Sequence, residues 1–221
     1  MAASVAVVLS GCGFMDGAEI QESVFTLYFL DRAGIEFVCF APDTPQLHVV
    51  NHLTGKPTDE QRNVLVESAR ITRGAVRDLA EASLQEFDAL VLPGGFGMAK
   101  NLSNFAAAGP DAEVNADLVR LVGEAVAAKK PIAAICISPA VLAASLAKVG
   151  SSAKLTIGND SGTAQAIEKL GSTHATCPVD EAVIDEAHRV VSTPAYMLGP
   201  SPAGVAAGIE AAIAQLAAWL A

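Results

Sequence analysis

Short unbroken apolar runs alternate along the chain with stretches whose apolar positions recur every three to four residues. Val5–Leu9, Ile35–Phe40, Ala89–Leu92 and Ile132–Cys136 are of the first kind and predict strands buried on both faces. Helical patterning covers about 18–33, closed by Gly34, then about 59–71, 113–128, 140–149 and 162–170. Near the C-terminus Val205, Ile209, Ile213, Leu216 and Leu220 share one helical face. Lys154–Ile157 reads as a further short strand, and Ala182–Asp185 with Arg189–Thr193 as a hairpin turning near Glu186-Ala-His188. Residues 43–75 are less regular, with an extended piece around His48–Val50. No internal repeat or low-complexity linker interrupts the pattern. Such alternation predicts an α/β fold: a mostly parallel sheet covered by helices on both faces.

Folds of this kind place their sites at the carboxyl ends of the strands. Three loops should therefore open on one edge: Gly11-Cys12-Gly13 after the first strand, Pro93-Gly94-Gly95 after a middle one, and the corner at Cys136. Cys136 ends an apolar run, and Ser138-Pro139 and a helix follow at once. A strand turning straight into a helix sets its corner residue in a tight turn, with the side chain projecting beside the helix N-terminus. Backbone N–H groups and the helix dipole there favour an anion, so the thiol is expected to ionise more readily than a free one. The competing reading is a buried, inert cysteine.

A thiolate attacking a carbonyl needs donors for the developing negative charge. Gly94-Gly95 can bring one backbone N–H close, and the N–H of Ile137 is the second candidate. A plain turn is the simpler account of Pro-Gly-Gly taken alone. Glu19 and Glu22, three residues apart at the start of the first helix, share one face near the same edge. Either carboxyl, set against Cys136, would keep its proton and donate it to the thiolate. Cys12 lies on the same edge, where a small residue in a tight turn is the alternative.

Composition narrows the field. At 221 residues the chain is expected to form one domain spanning 1–221, large enough for a full core. Acidic residues outnumber basic ones, 24 to 14, for a net charge of −10, which argues against a nucleic-acid partner. No apolar run approaches the roughly 18–20 residues of a membrane span, and the N-terminus lacks the basic flank of a targeting segment. Four scattered cysteines without a CxxC suit free thiols in a reducing, cytosolic setting. His174, Cys177 and Asp180 have loose metal spacing with too few ligands, so neither a metal nor a cofactor is expected. Gly11-Cys12-Gly13 lacks the Lys and Ser/Thr of a P-loop.

These motifs resemble those of the PfpI-type branch of the class I glutamine amidotransferase-like superfamily. The resemblance runs nearly end to end. It includes Leu9-Ser-Gly-Cys-Gly13, Asp16-Gly-Ala-Glu-Ile20, Cys39-Phe-Ala-Pro-Asp43, Asn51-His-Leu-Thr-Gly55, Arg62-Asn-Val-Leu65, Pro93-Gly-Gly-Phe-Gly97, Lys100-Asn-Leu-Ser-Asn-Phe105, Cys177-Pro-Val-Asp180 and Thr193-Pro-Ala-Tyr-Met197. It implies a flavodoxin-like three-layer α/β/α sandwich, a homodimer, and glyoxalase activity on small dicarbonyls. Cys136 matches the elbow cysteine, Glu22 the carboxylic acid that bonds it, and Gly94 and Gly95 the oxyanion loop. The chain departs from the pattern twice. Ser192–Met197 replaces the late His-x-Glu pair of true amidotransferases, and Lys154–Gly158 lacks the histidine that many PfpI-like relatives carry after the elbow. The resemblance thus implies a cofactor-independent conversion of glyoxal to glycolate through a Cys136 hemithioacetal. The alternative is a non-catalytic redox-sensing or regulatory protein with an oxidisable Cys136.

Overall fold

The computed structural model describes residues 3–199 and 201–221. The chain begins with strand β1 (Ser4–Val8), helix α1 (Ile20–Arg32) and strand β2 (Glu36–Ala41). A small hairpin follows, β3 (Val50–Asn51) with β4 (Lys56–Pro57), then α2 (Val64–Thr72), β5 (Val76–Asp78) and β6 (Ala89–Leu92). Two short helices, α3 (Phe96–Lys100) and α4 (Phe105–Ala108), lead to α5 (Ala116–Ala128), β7 (Ile132–Ile135) and α6 (Ser138–Lys148). The rest comprises β8 (Lys154–Leu155), α7 (Ser161–Lys169), β9 (Thr173–His174), β10 (Val183–Asp185), β11 (Val190–Thr193) and α8 (Pro202–Leu220).

One seven-stranded sheet runs in the order β10-β11-β7-β6-β1-β2-β5. All its pairings are parallel except β10 with β11, the hairpin expected from the sequence. Helix α1 packs on α2 and α8, while α6 packs on α5 and α7, giving the two outer layers of a flavodoxin-like sandwich. Every residue of β6 and β7 is buried, which is why those strands read as unbroken apolar runs.

The differences from the sequence pattern are local. Helix α2 starts at Val64 rather than near 59, because the Asn63 side chain accepts from the Val66 N–H at 3.0 Å and caps it there. Asn115 likewise delays α5 to Ala116. The edge strand β5 has three residues alternating in exposure, too short to register as a period. The membrane expectation needs correction: α8 is 19 residues long with a mean hydropathy of 1.5, enough to cross a membrane by length and composition. It nevertheless turns Val205, Ile209, Ala212, Ile213 and Leu216 into the core and pairs Glu210 with Arg32 of α1.

Candidate active site

Cys136 follows β7 directly and adopts φ +64°, a left-handed conformation rare for a residue with a Cβ. Its surroundings hold it there. The Cys136 N–H donates to Thr193 O at 2.9 Å, and the buried Ser138 hydroxyl donates to Pro93 O at 2.6 Å. Ser138 thus ties the elbow to the glycine loop after β6. Pro139 sits in the first turn of α6, where its missing N–H costs nothing.

The glycine loop closes on α1. Glu19 N–H donates to Gly94 O at 2.9 Å. Gly95, at φ +102°, passes so close to Gly17 and Glu19 that a Cβ would lie 2.3 Å from Glu19 N. This contact delivers Glu22, on the inner face of α1, to the elbow. A Cβ on Gly94 would stand 2.4 Å from both Cys136 Cβ and Glu22 Oε2, so thiol and carboxyl are immediate neighbours across that glycine.

Glu22 is completely buried. Its Oε1 accepts from the Tyr196 N–H at 3.1 Å, while Oε2 has no well-formed hydrogen bond among the described residues. Burial pushes the carboxyl up to about 8, against the opposing pull of the Cys136 thiol and the Tyr196 N–H. Glu22 therefore keeps its proton near neutrality. The Cys136 thiol is also pushed up, first by burial and then by the Glu22 charge, with the Gly95 and Ile137 N–H groups pulling the other way. That corrects the expectation of an easily ionised thiol: desolvation at the foot of the elbow outweighs the helix terminus. Two adjacent negative charges are disfavoured here, so the pair retains a proton between them.

The remaining sequence candidates separate. The Gly95 and Ile137 N–H groups face the sulfur, whereas the Gly94 N–H lies toward the Glu22 carboxyl. Glu19 caps α1, its Oε2 accepting from the Glu22 N–H at 2.6 Å; it stands in the cleft wall, turned to the helix end. Cys12 is half-buried and outside the cleft. Its thiol is pushed up by burial, and its charged neighbours are Glu67, Arg70, Asp16 and Arg62. Among the described residues no three His, Cys, Asp or Glu side chains form a metal-sized cluster, and all four cysteines are free thiols.

Tyr196 was missed. Its segment was noted in the sequence as a family motif and as lacking a His-x-Glu pair, with no role given to the tyrosine, yet its backbone fixes the Glu22 carboxyl and its hydroxyl donates to Gln21. The motif Thr193-Pro-Ala-Tyr-Met197 was the available signal. Above Cys136 opens a cleft of about 830 Å³ lined by Phe14, Ile20, Phe96, Ile137, Tyr196 and Met197, with Glu19, Gln21, Asp160 and Thr163 as polar members.

The buried acid makes stability depend on pH. Its folded pKa lies above the ordinary 4.5, so its contribution is complete below about pH 4.5 and is lost as pH rises through about 8. We expect Glu22→Gln to flatten this slope. Relative to wild type it should gain about 3–5 kcal/mol between pH 5 and 9, measured by urea unfolding at each pH. Parallel slopes for the two proteins would refute a protonated Glu22.

An elbow cysteine beside a buried carboxylic acid, at the carboxyl edge of a flavodoxin-like sheet, defines an amidotransferase-like protein without the glutaminase triad. The chain belongs to the DJ-1/PfpI family, whose model matches residues 6–193. It is 48% identical over 205 residues to the ES1 protein homolog, mitochondrial, of Rattus norvegicus, covering 88% of this chain and 76% of that one. It is also 48% identical over 206 residues to the human glutamine amidotransferase-like class 1 domain-containing protein 3, mitochondrial, covering 89% and 75%. The crystal structure of an isoprenoid biosynthesis protein with amidotransferase-like domain from Ehrlichia chaffeensis superposes over 100% of both chains, with a TM-score of 0.93 and 44% identity. Drosophila melanogaster DJ-1beta shares the fold, with a TM-score of 0.58 at 23% identity.

Proposed function

We propose that the chain is a cofactor-independent glyoxalase that converts small dicarbonyls to 2-hydroxy acids, glyoxal to glycolate in the simplest case. The observation that carries this reading is the fully buried Glu22 carboxyl, held by the Tyr196 N–H and set beside Cys136 with Oε2 uncommitted. Cys136 sulfur adds to one aldehyde, forming a C–S bond, and the oxyanion is held by the Gly95 and Ile137 N–H groups. Protonation of that oxygen gives the hemithioacetal and leaves Glu22 as carboxylate. Glu22 then removes the hydrogen of the thiolated carbon, giving an enediolate, and returns it to the neighbouring carbon, while the hemithioacetal O–H proton passes to the second oxygen. The resulting thioester is hydrolysed by water, releasing the 2-hydroxy acid and the thiol. The net reaction adds one water to glyoxal.

Glycolate release with glyoxal in large excess tests the reading: product should exceed one equivalent per chain many times over. A single equivalent would favour the redox-sensing alternative, since a neutral Glu22 can also donate to an oxidised sulfur. Because attack requires loss of a proton from the Cys136–Glu22 pair, kcat/KM should climb with pH into the region around 8. A profile flat from pH 6 to 9 would contradict that step.

A second copy of this chain is the protein partner we infer. Val24 and Tyr28, four residues apart on α1 and outside the cleft, leave an exposed apolar stripe. Tyr28→Asp should shift the molecular mass measured by light scattering to that of one chain; unchanged mass would exclude this face. The relatives' mitochondrial names widen the cytosolic expectation to a reducing compartment, cytosolic or mitochondrial. A link to isoprenoid biosynthesis rests on the name of the Ehrlichia chaffeensis protein.

A further inference from the structure

The cleft is much larger than glyoxal needs. A site for a dialdehyde of four heavy atoms need not exceed a small hole above the sulfur, yet about 830 Å³ opens over Cys136, a volume typical of pockets that enclose drug-sized ligands. Its outer walls are apolar and half-exposed: Phe14, Ile20 and Phe96 are 43%, 46% and 47% exposed. Met197 and the Tyr196 ring continue the same lining toward the sulfur.

Charge adds a second constraint. Among the described residues no Lys, Arg or His lines the cleft, while Glu19 and Asp160 both do. Lys100, the cation beside Phe96, is committed to Met15 O at 2.8 Å. Asp160 holds its negative charge because the Thr163 N–H and hydroxyl draw its pKa below the usual range. A phosphate or carboxylate on the substrate would meet two carboxyls with no counter-ion.

We propose that the substrates are uncharged 2-oxoaldehydes bearing an apolar aryl or branched alkyl group, which the Phe14–Ile20–Phe96 wall receives while Cys136 takes the aldehyde. This rests on the glyoxalase reading and narrows its substrate class. The sulfur attacks the less hindered aldehyde carbon, and Glu22 moves that carbon's hydrogen to the former ketone carbon. Water then cleaves the thioester, so R–CO–CHO and water give R–CHOH–COOH. With R anchored in the cleft and one acid delivering the proton, a single enantiomer forms.

Phenylglyoxal, 4-carboxyphenylglyoxal and glyoxal test the idea in one assay. We expect kcat/KM for phenylglyoxal to exceed that for glyoxal at least about tenfold, and that for the carboxylated analogue to fall at least about tenfold below phenylglyoxal. Mandelate of one hand should accumulate. Glyoxal turned over as well as phenylglyoxal, or the carboxylate tolerated, would overturn the substrate class and leave the glyoxalase reading standing.

A measurement independent of turnover separates the two. Labelling of Cys136 by N-phenylmaleimide should outpace labelling by iodoacetate by more than the ratio shown by a free cysteine, with Cys136→Ala as blank. Apolar preference in labelling without turnover of any dicarbonyl would sink the glyoxalase reading and, with it, the substrate assignment. Labelling without preference would overturn the inference and leave the apolar rim to contact between copies.

Discussion

Cys136→Ala is expected to abolish the proposed dicarbonyl turnover, with kcat/KM falling at least about 10³-fold, while the chain keeps its fold. The size of the effect follows from the site's lack of a substitute. The cleft contains no other thiol among the described residues, and Cys12 is outside it with its thiol pushed up by burial. The oxyanion donors of Gly95 and Ile137 would remain but would have no adduct to stabilise. Stability should change little, because the left-handed backbone at 136 persists and a buried neutral thiol is exchanged for a methyl group. Glycolate assays paired with thermal unfolding check both halves. Activity retained within tenfold of wild type would remove Cys136 from the reaction.

Gly94→Ala is expected to be nearly as damaging, without removing any reacting atom. Gly94 does not have a positive φ, so the effect is steric and not conformational. The new Cβ would lie 2.4 Å from Cys136 Cβ, 2.4 Å from Glu22 Oε2 and 2.9 Å from Ile135 O. None of these can yield cheaply: one is backbone, one is pinned by the elbow, and the carboxyl is fixed through Oε1 by Tyr196. Something must shift by several tenths of an ångström, and the thiol and acid are driven apart. We expect a loss of at least about 10² in kcat/KM and about 1–3 kcal/mol of stability. Turnover and urea unfolding of the same preparation measure both. An active, fully stable Gly94→Ala would mean that the contact between thiol and carboxyl is not needed.

Much of the frame was legible because it is written locally. Ala89–Leu92 and Ile132–Ile135 are apolar at every position since both faces of the central strands are covered, and this also implied a parallel sheet. The elbow was visible because a strand, a cysteine and a Ser-Pro helix start follow one another without a loop. Short elements escaped: β5 and the two helices after Gly95 are too brief to display a period. The start of α2 escaped as well, since Asn63 rather than the apolar pattern set it.

The sequence by itself determined the fold class, the edge on which chemistry could gather, and Cys136 as the residue to examine. Periodicity and turn chemistry act over a few residues and need no knowledge of distant neighbours. Tertiary structure decided the rest of the site: it sets Glu22, which local spacing left level with Glu19 and the family resemblance favoured, against the thiol, spends Glu19 on capping α1, and turns Cys12 elsewhere. It also decided the protonation balance, because burial, which no local pattern records, raises both the acid and the thiol. The hydrogen bond that holds the acid joins residues 22 and 196, separated by 174 positions. Only the packing of α1 against the turn between β11 and α8 brings that pair together.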